Sequence, residues 1–187
     1  MSAFLAAIQT MHPVSPALQA ALAAAVRTEN LPARHRLLQP GQVARRVYFL
    51  ETGLVRGYAL HEGRELSSWF MRGGDFVISV VSVLTQQPAT EYLELLETSQ
   101  LHSLDHEHLQ GLYRRFPEFN AIGRLLTEKY YVLSEQRAYA LRAYPARERL
   151  AELLRTFPDV FQRVAVQHVA AHLGMAAETL SRLRSRG

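Results

Sequence analysis

The 187-residue sequence contains no cysteine. That excludes disulfides, thiol nucleophiles and cysteine-held zinc or iron–sulfur centres, and it fits a reducing compartment. No apolar run is long enough to span a bilayer, and Met1 to Val26 offers no basic n-region. The expectation is therefore a cytoplasmic protein without signal peptide or membrane partner. No Walker loop, G-x-S-x-G elbow or dinucleotide fingerprint occurs, so the common nucleotide and acyl-transfer chemistries have no visible machinery. Tryptophan occurs once, at Trp69, in an apolar run that predicts a core position. What is present is ordinary for a globular protein: 48% hydrophobic and 20% charged residues, enough for one domain or two small ones.

Charge is unevenly placed. Met1 to Leu141 holds 13 Lys+Arg against 13 Asp+Glu. Arg142 to Gly187 holds 8 Arg against 4 acids, so the whole formal excess of +4 lies in the last quarter. A basic segment beside a neutral one is the footprint of a phosphate-binding surface. Arginine suits phosphate and base edges better than lysine does.

That segment has a pattern of its own. From Val166 to Gly187, Val169, Leu173, Leu180 and Leu183 recur at helical spacing. Ala170 is small where two helices must approach, and Gly174 stands where a tight turn needs positive φ. On a wheel at 100° per residue, Leu180 and Leu183 face one way while Glu178, Ser181, Arg182 and Ser185 face the other. This is the layout of a helix-turn-helix whose second helix enters the major groove. Arginine can grip guanine bidentately, and glutamate can accept from the cytosine amino group. The same residues also describe an amphipathic helical hairpin on a surface.

Upstream, Phe4 to Thr28 is predicted helical, with Ser15-Pro16 as N-cap and first turn and Leu18, Leu22 and Val26 on one face. From Arg34 to about Leu104, short apolar runs alternate with Gly41, Gly53, Gly63 and Gly73-Gly74. Val47 to Leu50, Leu54 to Leu60 and Leu66 to Met71 are rich in β-branched and aromatic residues. They predict short antiparallel strands in a barrel or jelly roll. Val77 to Leu84 predicts a short helix or turn over the barrel. Tyr92 to Leu104 returns to strand, with Leu93, Leu95 and Leu101 inward. Asp105 caps a helix, and Pro117 opens a long one. Along it Phe119, Ile122, Leu126, Tyr130, Leu133, Arg137, Ala140 and Tyr144 recur at steps of three and four. The stripe predicts a dimerisation helix, or else an intramolecular core helix. Tyr144-Pro145 ends it and marks a hinge. Ala146 to Phe157 follows as an amphipathic helix, with Leu150, Leu153, Leu154 and Phe157 walling the helix-turn-helix core.

Gln39-Pro40-Gly41, Val47 to Gly53, Gly74-Asp75-Phe76, and above all Ala176 to Arg182 carry a resemblance over essentially the whole chain. The sequence resembles the Crp–Fnr family of bacterial transcription regulators, relatives of the cyclic-AMP receptor protein. The resemblance implies an α+β fold in three parts. Residues 1–116 form an N-terminal cyclic-nucleotide-binding-type β-roll (a jelly roll) with flanking helices. Residues 117–144 form a long dimerisation helix, with Phe119, Ile122, Leu126, Tyr130, Leu133 and Arg137 at the interface. Residues 145–187 form a C-terminal helix-turn-helix. It implies that Glu178 and Arg182 read bases, that Thr179 and Ser181 contact phosphate, and that Ala177 and Ser185 lie in the same DNA surface. Double-stranded DNA, a second copy of the chain, RNA polymerase and a small-molecule effector are the implied partners.

Two departures qualify this. The family's Gly-Glu and Arg-Ser pairs, which hold the ribose and the cyclic phosphate, align here with Ile78-Ser79 and Ala89-Thr90. Losing the cation from a buried phosphate removes about 1.5–3 kcal/mol, so cyclic AMP is not expected as the effector. A pocket at Phe76, Ile78, Ser79, Ala89 and Thr90 then takes another ligand or is filled by Phe76, Ile78 and Tyr92. The sequence also ends five residues beyond Arg182. It thus resembles a short, wingless form. The iron–sulfur branch is excluded, no haem ligand stands out, and no cofactor is expected.

Other clusters point to bland roles. His102, His106 and His108 would suit a cupin-like metal site only on one strand face. Asp105 to Gln110 reads as helix, which separates His106 from His108 by about 200°, so solvated histidines and no metal are expected. Glu91, Glu94 and Glu97 read as a solvated acidic face, and Arg45-Arg46 as an exposed turn. The chain is read as a regulator and not an enzyme. The alternatives are a small-molecule-sensing β-barrel module that acts on a protein partner without DNA, and a cupin-like metalloenzyme.

Overall fold

The computed structural model describes residues 2–185. In chain order it contains α1 (Ser2–Gln9), α2 (Pro16–Ala25), β1 (Arg27–Leu31), β2 (Arg36–Leu38), β3 (Arg46–Thr52), β4 (Leu54–His61) and β5 (Arg64–Arg72). These are followed by β6 (Phe76–Val77), α3 (Val80–Thr85), β7 (Glu91–Leu95), β8 (Ser99–Asp105), α4 (His106–Arg115) and α5 (Pro117–Ala143). The chain continues through α6 (Ala146–Thr156), α7 (Val160–Arg163), α8 (Val166–His172) and α9 (Ala177–Ser185). Met1, Arg186 and Gly187 lie outside the described residues, as does the expectation of a wingless end.

The strands form two antiparallel four-stranded sheets, ordered β1-β8-β3-β6 and β2-β7-β4-β5. Their facing sides enclose the first core, with Leu38, Leu50, Val55, Val77, Leu93, Leu95 and Leu101. The first sheet is covered on its outer side too. There Phe49 and Leu104 meet Phe4, Ile8, Leu18, Leu22, Leu112, Phe119 and Ile122 from the helices. Burial on both sides explains why Val47 to Leu50 is a continuous apolar run and not an alternating one.

The predicted helix from Phe4 to Thr28 is two helices, and Thr28 lies in β1. Ser15 caps α2 as predicted, its Oγ accepting from the Leu18 amide at 3.1 Å. Tyr92 to Leu104 is likewise two strands, β7 and β8, with a turn between them. Asp105 stands at the N-cap of α4, but its carboxylate does not cap: it takes Arg46 at 3.0 Å and Arg27 at 3.4 Å. The long helix α5 runs from Pro117 to Ala143 and ends at Tyr144 in extended backbone, as the X-Pro rule requires.

A third core joins the C-terminal helices to the second sheet. Leu150, Leu153, Phe157, Val160, Val164, Val169, Leu173 and Leu180 pack around Leu54, with Phe70 and Leu96 at the margin. Leu154, expected in this wall, is 36% exposed.

Candidate nucleic-acid interface and effector site

The segment from α8 to α9 turns through residues 173–176. Gly174 holds φ +63°, and a Cβ there would lie 3.1 Å from the Leu141 side chain at the end of α5. Both the left-handed backbone and the tight contact favour glycine. Val169, Ala170, Leu173 and Leu180 are buried and Leu183 is partly so, which turns the rest of α9 outward. Glu178, Ser181, Arg182 and Ser185 are exposed, and Ala177 and Thr179 are half-buried beside them. Arg182 has no carboxylate partner among the described residues; its Nε lies 3.4 Å from the Glu178 carbonyl. Ser185 donates to the Arg182 carbonyl at 3.1 Å. Arg184 stacks on Phe161, its guanidinium carbon 4.0 Å from the ring centroid.

The opposite side of this unit is docked on the outer face of the second sheet. Arg163 donates to both oxygens of Glu97 at 2.7 Å and to the Gly53 carbonyl at 3.1 Å. Arg56, buried in β4, pairs with Glu65 at 2.7 Å, donates to Ser67 at 2.9 Å and approaches His168 of α8 at 3.4 Å. Arg137 of α5 donates to the His172 carbonyl at 2.9 Å and the Ser67 carbonyl at 3.0 Å. The His172 ring packs on Phe70 with centroids 5.0 Å apart. Burial, with Arg137 adjacent, pushes His172 down to about 3. Burial and the Arg56 charge also lower His168. Sequence reading missed this docking layer. Its members come from β4, β5, α5 and α8, and no local spacing links them.

The expected effector residues divide. Ser79 and Ala89 are buried and Ile78 packs on the inter-sheet core, while Thr90 is exposed. Phe76 does not join them. It pairs in register with Phe49, which turns it to the helical side against Phe4 and Phe49. Tyr92 does not fill the roll either; it stacks on Tyr58 at 4.8 Å, on the sheet face away from Leu93 and Leu95. In place of a cation the cassette presents a carboxylate. Ser79 Oγ donates to Glu91 at 2.7 Å, and burial raises the Glu91 carboxyl against that hydrogen bond. An anionic ligand meets the wrong charge there.

The other acidic residues are also committed. Glu94 accepts from the Tyr58 hydroxyl at 2.9 Å and Glu97 holds Arg163, so the predicted solvated face is an interaction layer. His102 is buried, not solvated. It bonds Thr28 at 2.9 Å and the Glu51 carboxylate, which is held below the usual range by that bond. Arg45 is exposed as expected, but Arg46 lies in β3 and pairs with Asp105 and Glu29.

On α5 the predicted stripe faces its own chain. Phe119 and Ile122 are buried in the helical core and Leu126 packs against it. The Tyr130 hydroxyl accepts from the Phe76 amide at 2.8 Å, and Arg137 is held as described. Leu133 alone of the six is largely exposed, at 49%. The other exposed apolar side chains of α5 are Tyr131, Val132, Tyr139 and Leu141.

Residues 28–116 match the family model of the cyclic nucleotide-binding domain. No curated protein sequence matches the chain. Among solved structures, the chain is similar to the c-di-GMP-responsive global regulator CLP of Xanthomonas campestris, with 21% identity and a TM-score of 0.70 over 92% of this chain and 91% of that one. It is similar to FixK2 of Bradyrhizobium japonicum, with 20% identity and a TM-score of 0.72 over 86% and 83% of the two chains. A transcriptional regulator from Eubacterium rectale assigned to the Crp/Fnr family shares 13% identity and a TM-score of 0.72 over 91% and 82%. The chain therefore carries a cyclic nucleotide-binding-type β-roll within an overall fold like that of Crp/Fnr-type regulators.

Proposed function

We propose that the protein is a homodimeric, sequence-specific DNA-binding transcription regulator of the Crp–Fnr type. The observation that carries this is α9: an apolar back sealed into its own core, and an outward face of Glu178, Ser181 and Arg182 with no acid among the described residues holding the arginine. Helices α8 and α9 act as a helix-turn-helix. Glu178 and Arg182 read base edges, while Thr179, Ser181 and Ser185 contact the backbone beside Ala177. Two copies place their α9 helices about 34 Å apart in successive major grooves. They pair through α5, on the face that carries Val132, Gln136 and Tyr139, since the face of Phe119, Ile122 and Tyr130 is spent on the roll. An effector in the β-roll acts by shifting the population of docked and DNA-ready arrangements. Contact with RNA polymerase follows once the dimer is on its operator. The reading implies binding and regulation without enzymatic chemistry.

Fluorescence anisotropy with DNA from upstream of the gene, titrated against salt, tests this. Saturable binding that steepens as salt falls, and loses specificity in Arg182→Ala, is the expected result. If the substitution has no effect and selection from random DNA enriches no sequence, the reading is wrong and a sensor module acting on a protein partner replaces it.

A further inference from the structure

The roll has a concavity away from the cassette. A cavity of about 530 Å³ opens beside the β2–β3 loop. Its floor is Leu38, Ala44, Tyr48 and Leu93, side chains of the inter-sheet core. Its rim carries two guanidinium groups, Arg45 and Arg46. Arg46 is compensated by Asp105 at 3.0 Å and Glu29 at 3.5 Å. Arg45 is exposed and has no ion-pair partner among the described residues. The mouth is therefore left with one uncompensated positive charge above an apolar floor. A cavity of this size falls in the range of small-molecule sites, and its lining sets Gln42 and the two guanidinium groups beside the apolar floor.

The loop is also tied to the cassette. The Gly41 amide donates to the Ala89 carbonyl at 2.9 Å, and the Ala89 amide donates to the Gln42 carbonyl at 2.8 Å. The Ala44 amide donates to Ser82 Oγ at 2.9 Å. A ligand seated on Ala44 thus lies against backbone that is hydrogen-bonded to residues 82–89.

We propose that the effector site is this loop cavity, and that it takes a small organic monoanion with an apolar body, the anion at Arg45 and the body on Tyr48 and Leu93. The proposal deepens the sensor reading above and rests on it for its regulatory meaning. It reverses the polarity of the family cassette: Glu91 beside Ser79 disfavours an anion there, while Arg45 favours one at the loop cavity.

Octanoate, octanol and octylammonium titrated into the full chain, followed by backbone amide shifts, test it. Octanoate is expected to shift residues 42–46 saturably, octanol to bind about tenfold more weakly, and octylammonium to leave them unmoved. Arg45→Glu is expected to abolish the octanoate shifts and Arg45→Lys to retain them; Arg45 is exposed, so neither disturbs the fold. Equal shifts from octanol, shifts elsewhere only, or no saturation overturns the proposal. DNA binding is read separately through Arg182→Ala, so failure of the site and failure of the regulator reading give different results.

Discussion

Two arginines from the same basic quarter do opposite work. Arg182 on α9 has no acidic partner among the described residues, whereas Arg163 is clamped by both oxygens of Glu97. Arg149 donates to the Tyr144 carbonyl and Arg155 pairs with Glu152, so a net charge counted along the chain overstates the surface left for phosphate. Histidine shows the same lesson at finer grain. His172 titrates near 6.5 when unfolded and is pushed down to about 3 by burial in the fold. The unfolded chain therefore binds more protons between those values, and stability is full above about pH 6.5 and falls as pH drops toward 3. His172→Gln removes the effect. The stability gap between wild type and variant, measured by urea unfolding, is expected to narrow steadily from pH 7 to pH 4. A gap that stays constant over that range counts against a neutral, buried His172.

At the scale of the element, α5 shows what periodicity can and cannot say. Its length, its start at Pro117 and its stop at Tyr144 were legible because proline rules are local. Its partner was not. A stripe of apolar residues announces burial, not the identity of the covering surface, and here the roll covers Phe119 and Ile122. The outward face was hidden in the sequence by Gln136 and Lys129 among its apolar members. Phe119→Ala is expected to cost about 3–5 kcal/mol of stability without changing oligomeric state. Val132→Glu with Tyr139→Asp is expected to leave stability nearly unchanged and to give monomers in sedimentation equilibrium. The reverse pattern restores the original stripe as the interface. Strands were read well where glycine turns punctuate them. The turn between β7 and β8 was missed because its residues, from Leu96 to Thr98, contain neither glycine nor proline.

Across the whole molecule, the β-roll and the helical character of the C-terminal segment were both legible, because each rests on a compact local pattern. The way they meet was not, because it is built from single polar residues scattered over the chain. Arg163 is one of these links, 26% exposed and bonded to Glu97 and Gly53. Arg163→Ala is expected to cost about 1.5–3 kcal/mol and to loosen the docked unit. Calorimetry should show the single unfolding transition broadening or splitting. A sharp transition at the original temperature would mean that the apolar core around Leu54 holds the unit without help.

The close approach of Gly174 to Leu141 has a mechanical consequence. The end of α5 bears directly on the turn that sets the pitch of α9, in parallel with the covalent path through Tyr144 and Pro145. Rotation of the long helix would thus be geared to α9 by contact, as one cog drives another. Slack spliced into the chain at the hinge would leave that gearing engaged, whereas a bulky side chain at Gly174 would strip it.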